Sequence, residues 1–79
     1  MLEKRSFTLS GHRTSVALEP EFWAALAAIA AQRGCSLSAL VSETDAERPP
    51  KRSLASALRV RALRERPDSS RSNSSLGKE

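Results

Sequence analysis

One stretch of eleven residues limits the folds open to this chain more than any other: Arg13-Thr14-Ser15-Val16-Ala17-Leu18-Glu19-Pro20-Glu21-Phe22-Trp23. Its first half alternates. Thr14, Val16 and Leu18 point one way and Arg13, Ser15 and Ala17 the other, which is the period of a strand. At Glu19-Pro20 the period changes. Proline suits the first turn of a helix, because its φ is already helical and the N–H it lacks would have no partner there. From Phe22 the apolar residues recur at helical spacing, as Phe22, Leu26, Ile29 and Ala30. A short strand therefore runs straight into a helix. A lone strand cannot satisfy its own ladder hydrogen bonds. Two partners are open to it: the upstream segment Arg5 to Leu9, or the same strand of a second copy of the chain.

The length of 79 residues allows one small domain. Such a chain buries a modest fraction of its surface and often relies on a disulfide, a metal or a partner subunit. Cys35 is the single cysteine and His12 the single histidine, so an intrachain disulfide and a closed zinc site within one chain are excluded. No cofactor is expected. Oligomerisation is the remaining aid, and a homodimer is the expectation. The longest apolar run, Phe22 to Ala31, has ten residues and is mostly alanine, too short to cross a bilayer. The opening residues show no signal-peptide pattern, and a reducing cytoplasm is the expected location.

The net charge of +4 is unevenly spread. Residues 1–18 carry Lys4, Arg5 and Arg13 against Glu3, a net +2. Residues 19–47 carry Arg33 against Glu19, Glu21, Glu43, Asp45 and Glu47, a net −4. Residues 48–79 carry nine basic and three acidic groups, a net +6. An acidic middle thus lies between basic flanks, and basic flanks are the electrostatic footprint of a protein that meets a polyanion.

Taken in order, residues 1–5 read as a flexible basic arm and residues 6–47 as the main domain. Ser6 to Ser10 alternates, with Phe7 and Leu9 on one side, and Gly11-His12 reads as a turn or bulge. The first helix is predicted from Pro20 to Arg33. Glu19 and Glu21 favour its N-terminal dipole, Arg33 its C-terminal end, and Gly34 its left-handed close. Trp23 extends the apolar face towards Leu26 and Ala27. Ser36 caps a second helix, on which Leu37, Leu40, Val41 and Thr44 share a face. Arg48-Pro49-Pro50 stops it. Residues 48–66 form a Pro-Pro linker and a third helix from Ser53 to about Glu65. Leu54, Leu58, Ala62 and Leu63 make its apolar stripe, with Arg59, Arg61 and Arg64 exposed. Residues 67–79 are Ser-rich and charged and read as a disordered tail.

A strand, a direct entry into a helix, a glycine turn and a capped second helix together resemble the ribbon-helix-helix DNA-binding family. The resemblance covers roughly residues 13–46. It rests on Ser15-Val16-Ala17-Leu18-Glu19-Pro20 and on Gly34-Cys35-Ser36-Leu37-Ser38-Ala39-Leu40-Val41. The run Lys4 to Val16, with Leu54 to Leu63 behind it, is similar to a bacterial subgroup with an additional C-terminal helix. The resemblance implies a mainly α homodimer with a short N-terminal strand and an intermolecular two-stranded antiparallel ribbon. The outward side chains of that ribbon enter the major groove. Here these are Arg13, Ser15 and Ala17; Ala17 offers only a methyl contact where the family usually has a polar residue. The family also holds a phosphate at the N-terminus of its second helix, which here is Ser36, Leu37 and Ser38. Lys4, Arg5, His12, Lys51 and Arg52 are further candidate phosphate contacts. Val16, Leu18, Phe22, Trp23, Leu26, Ile29, Leu37, Leu40 and Val41 are the expected dimer core.

No base or orienting acid stands at a recognisable spacing from His12 or Cys35, so catalysis is not expected. The sequence points first to a homodimeric transcriptional regulator that binds double-stranded DNA. The alternative is a non-enzymatic protein-interaction module, antitoxin-like or adaptor, that uses the same dimer and holds a protein partner through its third helix. Binding to a membrane surface through that Arg-rich helix is disfavoured, because the helix carries no aromatic anchor.

Overall fold

The computed structural model describes residues 1–66. It contains two strands, β1 (Glu3–Leu9) and β2 (His12–Leu18), followed by three helices, α1 (Pro20–Arg33), α2 (Leu37–Glu47) and α3 (Leu54–Arg64). The expectation for residues 67–79 lies outside the described residues.

The two-stranded antiparallel ribbon is present, and both of its strands belong to one chain. β1 pairs with β2 along its full length, from Glu3 opposite Leu18 to Leu9 opposite His12. Of the two possible partners for β2, the upstream segment is the one paired with it here. The turn is Ser10-Gly11 rather than Gly11-His12. Both residues have positive φ, 52° and 81°. A two-residue turn of this kind matches the right-handed twist of the strands, and Gly11 adopts it without steric cost. Residues 3–5 are therefore strand and not arm.

The arm is ordered because Trp23 holds it. The indole is 1% exposed, and its Nε1–H donates to the Glu3 carbonyl at 2.7 Å. A buried indole N–H needs such a partner. Phe7 lies against the same ring, 5.8 Å between centroids. The Arg5 guanidinium sits 5.1 Å from that ring's centroid and pairs with Glu3 at 2.8 Å. Phe7, Leu9, Val16 and Leu18 all bury on this inward side of the hairpin.

Local chemistry sets the helix ends. Pro20 opens α1, where Phe22 N–H donates to Glu19 O at 2.9 Å. Gly34 closes it at φ 70°, with the Gly34 and Cys35 N–H groups donating to Ala31 O and Ala30 O. The chain then turns, and α2 leaves α1 at 99°. The Ser36 hydroxyl accepts from Ala39 N–H and the Ser53 hydroxyl from Ser56 N–H, capping α2 and α3. Among the described residues no single helix is long and apolar enough to cross a membrane.

α3 touches α1, α2 and β2, so it is part of the core rather than an appendage. Leu54, Ala57, Leu58 and Ala62 bury, whereas Leu63 is left 61% exposed, off the stripe that includes it in the sequence reading. Arg59 and Arg61 also depart from expectation, since neither stands free in solvent. Arg59 pairs with Glu19 at 3.1 Å and lies 5.7 Å from the centroid of the Phe22 ring. The Arg61 side chain is 11% exposed; it donates to Thr44 Oγ1 and is surrounded by Glu43, Glu47 and Glu65. The acidic helix faces the basic one, and the opposite charges draw these arginines down onto the surface. Of the residues expected in a dimer core, Val16, Leu18, Trp23, Leu26, Ile29, Leu40 and Val41 bury within the single chain. Phe22 and Leu37 are partly buried against them. Within the chain, β1 and α3 supply walls of this core.

Two expectations follow. Leu18 is fully buried, so Leu18→Glu places a carboxylate beneath the hairpin and destabilises the fold by about 3 kcal/mol or more, read as a lowered midpoint in a circular dichroism melt. The second concerns acid. The Glu19 carboxyl is held below its usual range, first by its own backbone N–H and then by Arg59, with desolvation opposing. A depressed pKa contributes stability above the unfolded value and loses it as pH falls through the folded one. The difference in melting temperature between the parent and Glu19→Gln should shrink as pH drops from about 6 to about 3.

Candidate nucleic-acid interface

The register of the hairpin decides what it presents outward. Paired residues share a face. With Phe7, Leu9, Val16 and Leu18 inward, the outward pairs are Lys4 with Ala17, Ser6 with Ser15, and Thr8 with Arg13. The structure brings the predicted Arg13, Ser15 and Ala17 together on this face. It adds Ser6 and Thr8, which the sequence reading did not assign as contacts, and it places Lys4 in the same set. The alternation of Ser6 and Thr8 was visible in the sequence; their role needed the knowledge that β1 lies beside β2.

This face holds no large apolar side chain. A cation stands at each of two diagonal corners, and between them the Ser6 and Ser15 hydroxyls lie 3.1 Å apart. Hydroxyls that bond to each other still have one proton and several lone pairs to offer. Rows two residues apart on a strand are separated by about 7 Å, so the outer rows lie about 13–14 Å apart, roughly four base-pair steps at 3.4 Å each. A two-stranded ribbon is narrow enough for a major groove about 12 Å wide.

The other predicted contacts are dispersed. Arg5 sits on the inward face, committed to Glu3 and Trp23. His12 is exposed beside the turn. At the start of α2, the Ser36 hydroxyl is occupied by Ala39 N–H, Ser38 is exposed, and Leu37 packs against the core. Lys51 and Arg52 lie in the linker before α3. Cys35 is a free, partly buried thiol at the α1–α2 turn.

Salt bridges sort the cations. Arg5, Arg33, Arg48, Arg59 and Arg61 are each paired with a carboxylate. Lys4 and Arg13 on the hairpin, and Lys51, Arg52 and Arg64 around α3, have side chains without a partner among the described residues. The basic charge left for an external anion therefore lies in two places.

A two-stranded ribbon with a polar outer face, set on a bundle of short helices, defines a class of small domains that present a β-surface to a ligand. Residues 2–66 match the family model of the ribbon-helix-helix domain, and the chain belongs to that family. Proteins of this family generally form dimers and bind DNA, and they are typically regulatory rather than enzymatic. No curated protein and no solved structure matches the chain.

The outward face carries no packing duty. Lys4→Ala combined with Arg13→Ala should leave stability within about 0.5 kcal/mol of the parent, measured by thermal melting. A large loss of stability would place these side chains in the fold rather than at an interface.

Proposed function

We propose that this protein is a DNA-binding transcriptional regulator that inserts its hairpin into the major groove. The observation that carries this reading is the division of the ribbon: every large apolar side chain of β2 and of the Phe7–Leu9 end of β1 is inward, and an outward polar face has unpartnered Lys4 and Arg13 at its corners. Arg13 is the strongest base reader, since a guanidinium bonds guanine O6 and N7 with two parallel donors, worth about 1–3 kcal/mol of discrimination. Lys4 contacts a base or phosphate near the opposite corner. Ser6, Ser15 and Thr8 bond permissively, and Ala17 offers its methyl group to thymine. Phosphate contacts come from the first-turn N–H groups of α2 at Leu37 and Ser38, beside Ser36, and from Lys51 and Arg52. Arg5 acts by positioning β1 rather than by reaching DNA.

The regulator works as a homodimer in the bacterial cytoplasm, at the nucleoid. Family membership supports the dimer, and so does the solvent side of α1. Ala24, Ala27, Ala28 and Ala31 are all exposed there, and side chains this small let another helix approach closely. Sedimentation at micromolar concentration should give a dimer; a folded monomer would remove that part of the reading.

The decisive experiment is fluorescence anisotropy against the promoter of its own gene and against random duplex, at several salt concentrations. Log affinity should fall linearly with log salt, by about 0.9 for each phosphate neutralised. Arg13→Ala should weaken binding and relax sequence preference, while Lys51→Ala with Arg52→Ala should weaken both duplexes alike and flatten the salt slope. If Arg13→Ala binds every duplex as the parent does, the hairpin is not the reading element. The same dimer would then serve as a protein-interaction module, a reading favoured by the modest hydrogen-bonding capacity of Ala17 and the serine pair.

A further inference from the structure

The second group of unpartnered cations borders a cleft. It lies between the end of α2, the linker at Pro49 and Arg52, and the side of α3 that faces α2, with a volume of about 120 Å³. Four arginines are among its lining residues, Arg48, Arg52, Arg61 and Arg64, together with Glu47 and Glu65. A neighbouring hollow shares Arg52 and adds Lys51.

The two carboxylates do not neutralise this cleft. Glu65 is shared between Arg33 at 3.6 Å and Arg61 at 3.0 Å. Glu47 is mostly in solvent and reaches only Arg61, at 3.8 Å. Arg48 is fixed by Asp45 and by the Arg52 carbonyl. Arg52 and Arg64 have no carboxylate among the described residues. Arg61 is fixed too, by Thr44 Oγ1 and by the Glu43 and Glu65 carboxylates. The cleft thus combines two guanidinium groups held by carboxylates with two uncompensated ones.

We propose that this cleft binds a phosphoryl group. Guanidinium forks match the oxygens of a tetrahedral dianion, and several can share one. The volume equals about four water molecules at about 30 Å³ each, enough to seat one phosphoryl group, and the cleft opens to solvent, where the rest of a larger ligand can lie. Arg52 and Arg64 supply the charge, and Arg48 and Arg61, held by their carboxylates, fix the position. This site stands whether or not the hairpin reads DNA. The phosphoryl group has two possible sources: a free phosphorylated small molecule, which would make the cleft an effector site, or the backbone of a bound duplex.

The test is isothermal titration of the full-length protein with inorganic pyrophosphate at constant ionic strength. Saturable binding is expected, weakened at least tenfold in Arg52→Gln with Arg64→Gln and unchanged in Lys4→Ala with Arg13→Ala. Both glutamine sites are exposed, and a circular dichroism melt matching the parent confirms that the variant is folded. A duplex titration separates the sources. If the glutamine variant binds duplex as the parent does, the ligand is a free phosphorylated molecule; if duplex affinity falls and pyrophosphate competes with duplex, it is a backbone phosphate. Absence of saturation up to 10 mM pyrophosphate, or equal binding by parent and glutamine variant, overturns the proposal. So does loss of pyrophosphate binding in the hairpin variant alone.

Discussion

The hydrogen bond from the Trp23 indole to the Glu3 carbonyl is the contact on which the arrangement of this molecule depends. A two-stranded hairpin alone is marginal in water. Here one large side chain on the first helix reaches the start of the first strand, twenty residues back in the chain. It lies tilted against Phe7 and carries Arg5 over its ring. That single indole fixes where β1 begins, how far it overlaps β2 and which side of it turns inward. The polar outer face is then a consequence of register. Once Phe7 and Leu9 are committed to the core, Lys4, Ser6 and Thr8 have only solvent to face.

The second organising influence is charge. The acidic stretch in the middle of the sequence and the basic stretch behind it meet across the α2–α3 contact. Arg61 is the centre of that meeting, bonded to Thr44 and flanked by carboxylates from both helices. Exposed ion pairs contribute little individually, but a guanidinium this far buried joins two helices and sets their relative position. The same pairing determines which cations remain free, so the net charge of the chain is a poor guide to what its surface offers.

Much of this was legible in the sequence where short-range chemistry decides it. Pro20 and Gly34 bound the first helix, and Ser36 and Ser53 start the next two, because caps act over three or four residues. The strand period gave the facing of Val16 and Leu18 for the same reason. What could not be read was decided at long range. Alternation shows that β2 needs a partner but not which one, and the answer lies with Trp23. Ser10 gives no sign that it will take a left-handed conformation beside Gly11. Arg59 and Arg61 look like solvent-facing charges on a helical wheel. Their positions are set by Glu19, forty residues away, and by Thr44, seventeen residues away. Of the outward face, the sequence shows the facing of Arg13, Ser15 and Ala17 and the alternation of Ser6 and Thr8, but not that β1 lies beside β2 and carries Lys4 into the same face.

The closure of the ribbon within one chain also bears on symmetry. A ribbon made from the same strand of two copies carries three outward positions, each repeated across a two-fold axis. Any surface it fits must carry that axis through the ribbon itself, and every substitution is made twice. This hairpin carries six outward positions in which only the central serine occurs twice, and its two corners hold different cations. It has a direction. A change at Lys4 leaves Arg13 and its surroundings as they were, so the two strands are free to diverge independently, and whatever lies against them need not be a palindrome at that point.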